Sequence, residues 1–267
     1  MQENLLIQIV FPESDIPQEY LNLIDSVDNT KFVPLCNAKR NDIGVTYSWN
    51  SINKEIECKT IIIHTSLNAL LDNGNLLESS FGKFERINIV IRDLEFIHDA
   101  DLVMYGKWLD RMAERLTNRI VCGSNGQLNI LTDRLSLESM RNCNAGYETI
   151  TVAPDGNFYV CPAFYYGNDT SVGNPSEGLN IPNRHLYELK NAPICRKCDA
   201  WHCHRCVWLN KLKTMEVNTP GHIQCIMAHL ERNASRLILK KIENLNFKHN
   251  YHEIPKIDYL DPFETLI

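Results

Sequence analysis

The chemistry open to this chain lies in its cysteines. There are ten in 267 residues, and eight of them fall between Cys122 and Cys225. Four sit within twelve residues: Cys195, Cys198, Cys203 and Cys206. Upstream, Cys143 is followed by twelve residues, Gly156, four more residues and Cys161, while eighteen residues separate Cys206 from Cys225. Two thiolates at Cys-x-x-Cys spacing can turn back on one metal ion or cluster. One such pair is a weak sign of metal; two pairs, an upstream pair and a distal cysteine make a strong one. In a reducing compartment, dense cysteine points to metal or redox chemistry rather than to disulfides. Zinc takes four thiolates tetrahedrally, and the central four could form such a site, although their connecting loop is short for zinc. Iron–sulfur clusters also take thiolates, often from distant segments, and seven ligands exceed what one zinc needs. Cys122 is a candidate eighth ligand, whereas Cys36 and Cys58 read as ordinary thiols.

The elements that position these thiols follow from hydrophobic periodicity. Up to about residue 135, strand-like runs alternate with helical ones. Strands are expected at 4–11, 60–64, 86–92 and 127–131, and helices at 16–27 and 99–116. Leu102, Tyr105, Leu109, Met112 and Leu116 make the clearest amphipathic stripe. Such alternation implies βα units and a mainly parallel sheet, either open or a partial barrel. The pattern then changes. Short strands at 148–153 and 157–161 flank Asp155-Gly156, a strong hairpin signal because glycine accepts positive φ. Residues 161–192 read as loop. Thr219-Pro220 reads as the start of a long helix over about 221–245, with Ile226, Met227, Leu230, Ala234, Leu237, Ile238, Ile242 and Leu245 as its apolar stripe. The expected organisation is an α/β domain over 1–140, a metal-binding cysteine-rich domain over 141–247 and a C-terminal strap over 248–267. The second domain has little room for a large core and needs metal to fold.

Composition narrows the partners. The chain is 44% hydrophobic and 22% charged, which is ordinary globular usage. A net charge of −6 and a pI of about 5.9 disfavour a sequence-independent nucleic-acid binder. No apolar run is long enough to span a membrane. The opening Met1-Gln2-Glu3-Asn4 lacks the basic start of a signal peptide, so a cytoplasmic protein is expected.

The ordered pattern of Cys143, Gly156, Cys161, Cys195, Cys198, Cys203, Cys206 and Cys225 resembles the seven-cysteine SPASM domain, which follows radical S-adenosylmethionine domains in peptide-modifying enzymes. The stretch from Val152 to Cys161 and Ser171-Val172-Gly173-Asn174 are similar to it as well. The usual central motif has five and three residues where this chain has four and two. Further segments resemble the CXXX repeat peptide maturase family: Leu131-Thr132-Asp133-Arg134, Asn142-Cys143-Asn144-Ala145-Gly146, the run from Tyr159 to Tyr166, the run from Arg205 to Asn210, Val217-Asn218-Thr219-Pro220 and the run from Ala228 to Ser235. The likeness covers about residues 128–240 closely and the N-terminal half more loosely. It implies a role in maturing a ribosomally made peptide with cysteine at every fourth residue, by binding or modifying the precursor, with another maturation enzyme as a candidate partner. It also implies one or two 4Fe–4S clusters. Cys195, Cys198, Cys203 and Cys225 would hold one. Cys143, Cys161 and Cys206 would hold the other, with Cys122, a histidine, substrate or nothing as fourth ligand.

One absence weighs against a self-contained radical enzyme. No three cysteines have the spacing Cys-x-x-x-Cys-x-x-Cys, and residues 12–20 contain none. The N-terminal half therefore reads as a degenerate relative of the radical S-adenosylmethionine barrel. The alternative is a zinc-stabilised peptide-recognition or scaffold module without catalysis of its own. His202 and His204 read as groups around the metal or exposed ones, and His229 as a packed or capping group. Trp201, Trp208, Phe164, Tyr165 and Tyr166 read as a shield around the metal or a peptide groove. Asp133-Arg134 and Glu231-Arg232 read as surface or interdomain ion pairs, and Asp155 as a turn residue.

Overall fold

The computed structural model describes residues 8–10, 17–26, 30–140 and 143–255. The chain forms two compact units, Met1–Asp133 with Ala234–His249, and Arg134–Asn233 with Asn250–Ile267.

The first unit is built on a parallel sheet. Its elements are β1 (Gln8–Val10), α1 (Gln18–Asp25), β2 (Thr30–Pro34), β3 (Ile43–Thr46), β4 (Thr60–Thr65), α2 (Leu67–Asp72), α3 (Gly74–Ser80), β5 (Arg86–Ile91), α4 (Asp99–Val121), β6 (Gln127–Leu128) and α5 (Asn129–Ser136), which runs on into the second unit. The six strands lie in chain order, each parallel to the next. Sequential order means that every crossover steps the same way, and connections of the usual right hand then share one face of the sheet. Burial agrees. In β4, Ile61, Ile63 and Thr65 are buried while Thr60, Ile62 and His64 are half-buried. Ile61 and Ile63 lie beside Ile87 and Ile89 of β5. Helix α4 buries its whole expected stripe and adds Trp108, Ala113, Thr117 and Ile120. Ser66 caps α2 by accepting from the Ala69 amide at 3.1 Å.

Three differences from periodicity have local causes. Strand β6 is only two residues long, because Asn129 replaces the next strand residue. Its side chain accepts from the Ile89 amide (2.8 Å) and donates to the Ile89 carbonyl (3.0 Å). That completes the ladder and frees the main chain to begin α5, where the Thr132 hydroxyl bonds both the amide and the carbonyl of Leu128. Strands β2 and β3 carry a proline and a glycine, which hide them from pattern reading. Gly44 sits in β3 because a Cβ there would lie 2.5 Å from Leu35 Cδ1 and 2.9 Å from Cys58 Sγ. Of the strand expected at 4–11, Gln8–Val10 is seen and the remainder lies outside the described residues.

The second unit has little regular structure: β7 (Thr151–Val152), β8 (Phe158–Tyr159), α6 (Pro162–Tyr166), β9 (Gly173–Asn174), β10 (Gly178–Leu179), α7 (Val207–Thr214) and the first half of α8 (His222–Asn244). The Asp155-Gly156 turn joins β7 and β8 as an antiparallel hairpin, with Gly156 at φ 80°. Asp155 Oδ1 accepts from the Asn157 amide and Oδ2 from the Tyr159 hydroxyl, which marks it as a turn residue. The hairpin strands are shorter than periodicity suggests. Residues 144–149 form a tight turn instead, in which the Asn144 carbonyl accepts from the amides of Tyr147, Glu148 and Thr149. The stretch 161–192 contains α6, the β9–β10 hairpin and single 3₁₀ turns rather than plain loop. Around these, Ala145, Tyr159, Val160, Phe164, Val172, Tyr187 and Val207 form a small core. Helix α8 begins at His222, two residues after Pro220, and Leu245 lies beyond its end and is exposed. In the expected strap, Ile254 is buried and the His252 amide donates to the Leu135 carbonyl, while residues 256–267 lie outside the described residues.

Candidate metal centre

All seven patterned cysteines belong to the second unit. Cys195 opens a 3₁₀ turn and is buried, and Cys198 ends that turn. The Cys198 sulfur accepts from the Ala200 amide at 3.4 Å. The Arg205 backbone acts on Cys203 from the corresponding position and offsets part of the rise that burial imposes. In both cases the backbone group stands two residues after the cysteine, so the loop itself softens the sulfur charge. Arg205 reaches this arrangement with φ at 42°, a left-handed conformation unusual for a non-glycine residue. Cys161 and Cys206 occupy the N-cap positions of α6 and α7. Neither sulfur makes a capping hydrogen bond, but the nearby backbone at Phe164 and Ala163 offsets part of the rise at Cys161, and that at Leu209 and Trp208 part of the rise at Cys206. Helix N-termini in general favour a thiolate.

Electrostatic influence sorts the thiols. Burial pushes Cys203 up to about 12 and Cys198 to about 11; Cys195 raises both further, and Cys198 also acts on Cys203. Burial pushes Cys161 up to about 11, with the Cys206 and Cys143 thiols adding to the rise. Cys206 is raised by burial and by Cys143. One set is therefore Cys195, Cys198 and Cys203, and the other is Cys143, Cys161 and Cys206. In the first set Cys195 is buried and Cys198 and Cys203 are half-buried; in the second Cys161 and Cys206 are half-buried and Cys143 is exposed. Cys225 lies on α8, four residues before His229, so the two share one helix face. Cys122 is exposed and closes α4 in the first unit; Cys36 is exposed and Cys58 buried there.

Helix α8 brings polar groups to the first set. His229 Nε2 lies 3.5 Å from Cys198 Sγ. The donor atoms of Cys198, Asp199 and His229 lie within 4.8 Å of one another, a buried group that could hold a metal ion. Arg232 Nη1 donates to Asp199 Oδ1 at 2.5 Å, and both side chains are almost completely buried. Next to them, His202 Nε2 and Glu231 Oε2 are 3.0 Å apart, also buried. Arg134 is fully buried, donates through Nε to the Asp199 carbonyl (2.7 Å) and lies over the Trp201 ring at 3.9 Å.

Several sequence readings change here. His229 is a potential ligand rather than a packing or capping group, and Cys225-x-x-x-His229 is the helical spacing that could have revealed it. Glu231 and Arg232 are not a surface pair; each reaches a residue of the cysteine loop. Asp133 and Arg134 part company, since Asp133 forms a two-pronged pair with Arg86 at 2.9 and 2.7 Å. His204 is exposed. Among the aromatic residues, Phe164 packs edge-on against Trp208 with ring centres 5.0 Å apart, and Tyr166 is exposed.

The donors fit a thiolate-bound metal group. They are soft and, apart from Cys143, buried or half-buried, and the Ala200 amide donates to the Cys198 sulfur. Among the described residues, no helix is long and apolar enough to cross a membrane. Compared with known proteins, the chain matches no family model and no curated sequence.

Proposed function

We propose that this chain is a SPASM-like iron–sulfur protein, akin to the CXXX repeat peptide maturases, that binds a cysteine-repeat precursor peptide and takes part in its maturation. The observation that carries the reading is the electrostatic grouping of the thiols into two sets, Cys195, Cys198 and Cys203 on one side and Cys143, Cys161 and Cys206 on the other. On this reading Cys195, Cys198, Cys203 and Cys225 hold one 4Fe–4S cluster, and Cys143, Cys161 and Cys206 hold a second. Such clusters supply one-electron transfer, and an iron with an open position can take a substrate thiolate. The chain's own part is to hold the first set away from water and to keep the second near the surface. The three-thiol set and the exposure of Cys143 support access by a peptide thiol. The peptide itself is proposed from the family likeness, and the missing radical triplet makes the chain a partner in the reaction rather than its sole agent.

A second reading has its own support. Cys198, Asp199 and His229, whose donor atoms lie within 4.8 Å of one another, make a donor set that zinc accepts. The chain would then be a peptide-recognition module with a structural ion. Anaerobic purification with iron, acid-labile sulfide and zinc analysis separates the two. Two clusters correspond to about eight iron and eight sulfide per chain. Stoichiometric zinc without sulfide refutes the iron–sulfur reading. With clusters present, Cys198→Ala and Cys161→Ala are expected to remove different halves of the iron.

A further inference from the structure

Arg205 stands between Cys203 and Cys206 and is 1% exposed. Its guanidinium donates through Nη2 to the Tyr187 carbonyl, which fixes one end of the fork. Nε and Nη1, also buried, have no hydrogen-bond partner among the described residues. A guanidinium is always charged and is a donor only, so burial with open donors is costly unless an anion stands beside it. Burial lowers Arg205 from its ordinary value, and the nearby Cys195, Cys143 and Cys203 sulfurs act against that lowering. Those three sulfurs come from both thiol sets.

We infer that Arg205 is the hydrogen-bond donor and counter-charge to the thiolate-bound group beside it, and that it sets how readily that group is reduced. This rests on the iron–sulfur reading. A cluster gains one negative charge on reduction, and a fixed cation in a low-dielectric setting favours the more negative state. Hydrogen bonds to the sulfurs act in the same direction. Arg205 is a positioning and tuning residue; nothing gives it contact with a substrate.

The test uses the full chain, purified and reconstituted anaerobically with iron and sulfide, as wild type, Arg205→Met and Arg205→Lys. Iron and sulfide are counted, and the reduced fraction is followed by electron paramagnetic resonance in a potentiometric titration. Arg205→Met is expected to show at least a tenfold lower ratio of reduced to oxidised cluster at a given potential, about 59 mV for one electron. Arg205→Lys keeps the charge and is expected to recover most of that shift. Loss of iron in Arg205→Met with iron kept in Arg205→Lys also supports the inference. A loaded Arg205→Met with an unchanged potential overturns it, as does equal behaviour of the two variants. Wild type that takes up no sulfide overturns the iron–sulfur reading itself, and this inference with it.

Discussion

Arg232→Met tests whether the ion pair beside Cys198 holds the cysteine loop to α8. Asp199 directly follows Cys198, and Arg232 stands three residues after His229. The pair therefore fastens the loop and the helix at the point where Cys198 and His229 meet, 3.5 Å apart. The two side chains are 2% and 3% exposed, so water cannot replace a lost partner. Arg232 also donates to Asn233 Oδ1, and the Asp199 carbonyl is held independently by Arg134. Methionine keeps the length and apolar stem of arginine and removes its charge, so the main loss is that of a partner to a buried carboxylate. Breaking a buried pair from one side costs about 3–5 kcal/mol. That is a large part of the ~5–15 kcal/mol that holds a folded protein together. Asp199→Asn in the Arg232→Met background removes the stranded charge. The double variant is therefore expected to be more stable than the sum of the singles by up to about 3 kcal/mol. Guanidinium unfolding of all four proteins measures this, followed by the fluorescence of Trp201, whose ring lies under Arg134. The deficit should persist at high salt, since buried charges are little screened. A cost under about 1 kcal/mol for Arg232→Met refutes the reasoning, and so does additivity of the singles within about 0.5 kcal/mol.

Two further outcomes follow from other parts of the chain. Burial, with a smaller effect from Arg92, lowers His64 from 6.5 to about 4. The folded protein keeps this ring neutral while the unfolded chain protonates, so stability should fall as pH drops from about 6.5 to about 4. The fall attributable to His64 is at most about 3 kcal/mol and smaller where solvent screens the ring. His64→Gln should flatten that part of the pH profile in denaturant titrations, and parallel profiles for variant and wild type count against it. At Gly167 an added Cβ would lie 2.2 Å from Trp208 Cη2. Gly167→Ala should therefore cost about 1–3 kcal/mol by overpacking and alter the near-ultraviolet circular dichroism of Trp208. An unchanged spectrum and midpoint would contradict that contact.

Much of this molecule could be read one residue at a time. The α4 stripe, the β4 and β5 alternation and the Asp155-Gly156 turn depend on rules that reach only a few residues along the chain: a period of 3.6, a period of 2, and a left-handed φ that glycine accepts. The thiol inventory and the Cys-x-x-Cys spacings are local in the same sense. Readings failed where a side chain took over a backbone's role, as Asn129 does at the end of β6. They failed again where close packing required a residue that strands ordinarily avoid, as Gly44 does in β3.

What the sequence by itself determined is the set of ligands on offer and the type of the long periodic elements that carry them. Only the tertiary structure decided which groups meet. Cys198 and His229 are 31 residues apart in the chain, Asp199 and Arg232 are 33 apart, and Arg134 and Asp199 are 65 apart. Such meetings depend on where α8 crosses the cysteine loop, and no local period encodes that crossing. The same is true of the burial of Arg205. A charged side chain in a cysteine-rich loop reads as a solvated residue until the fold removes the solvent.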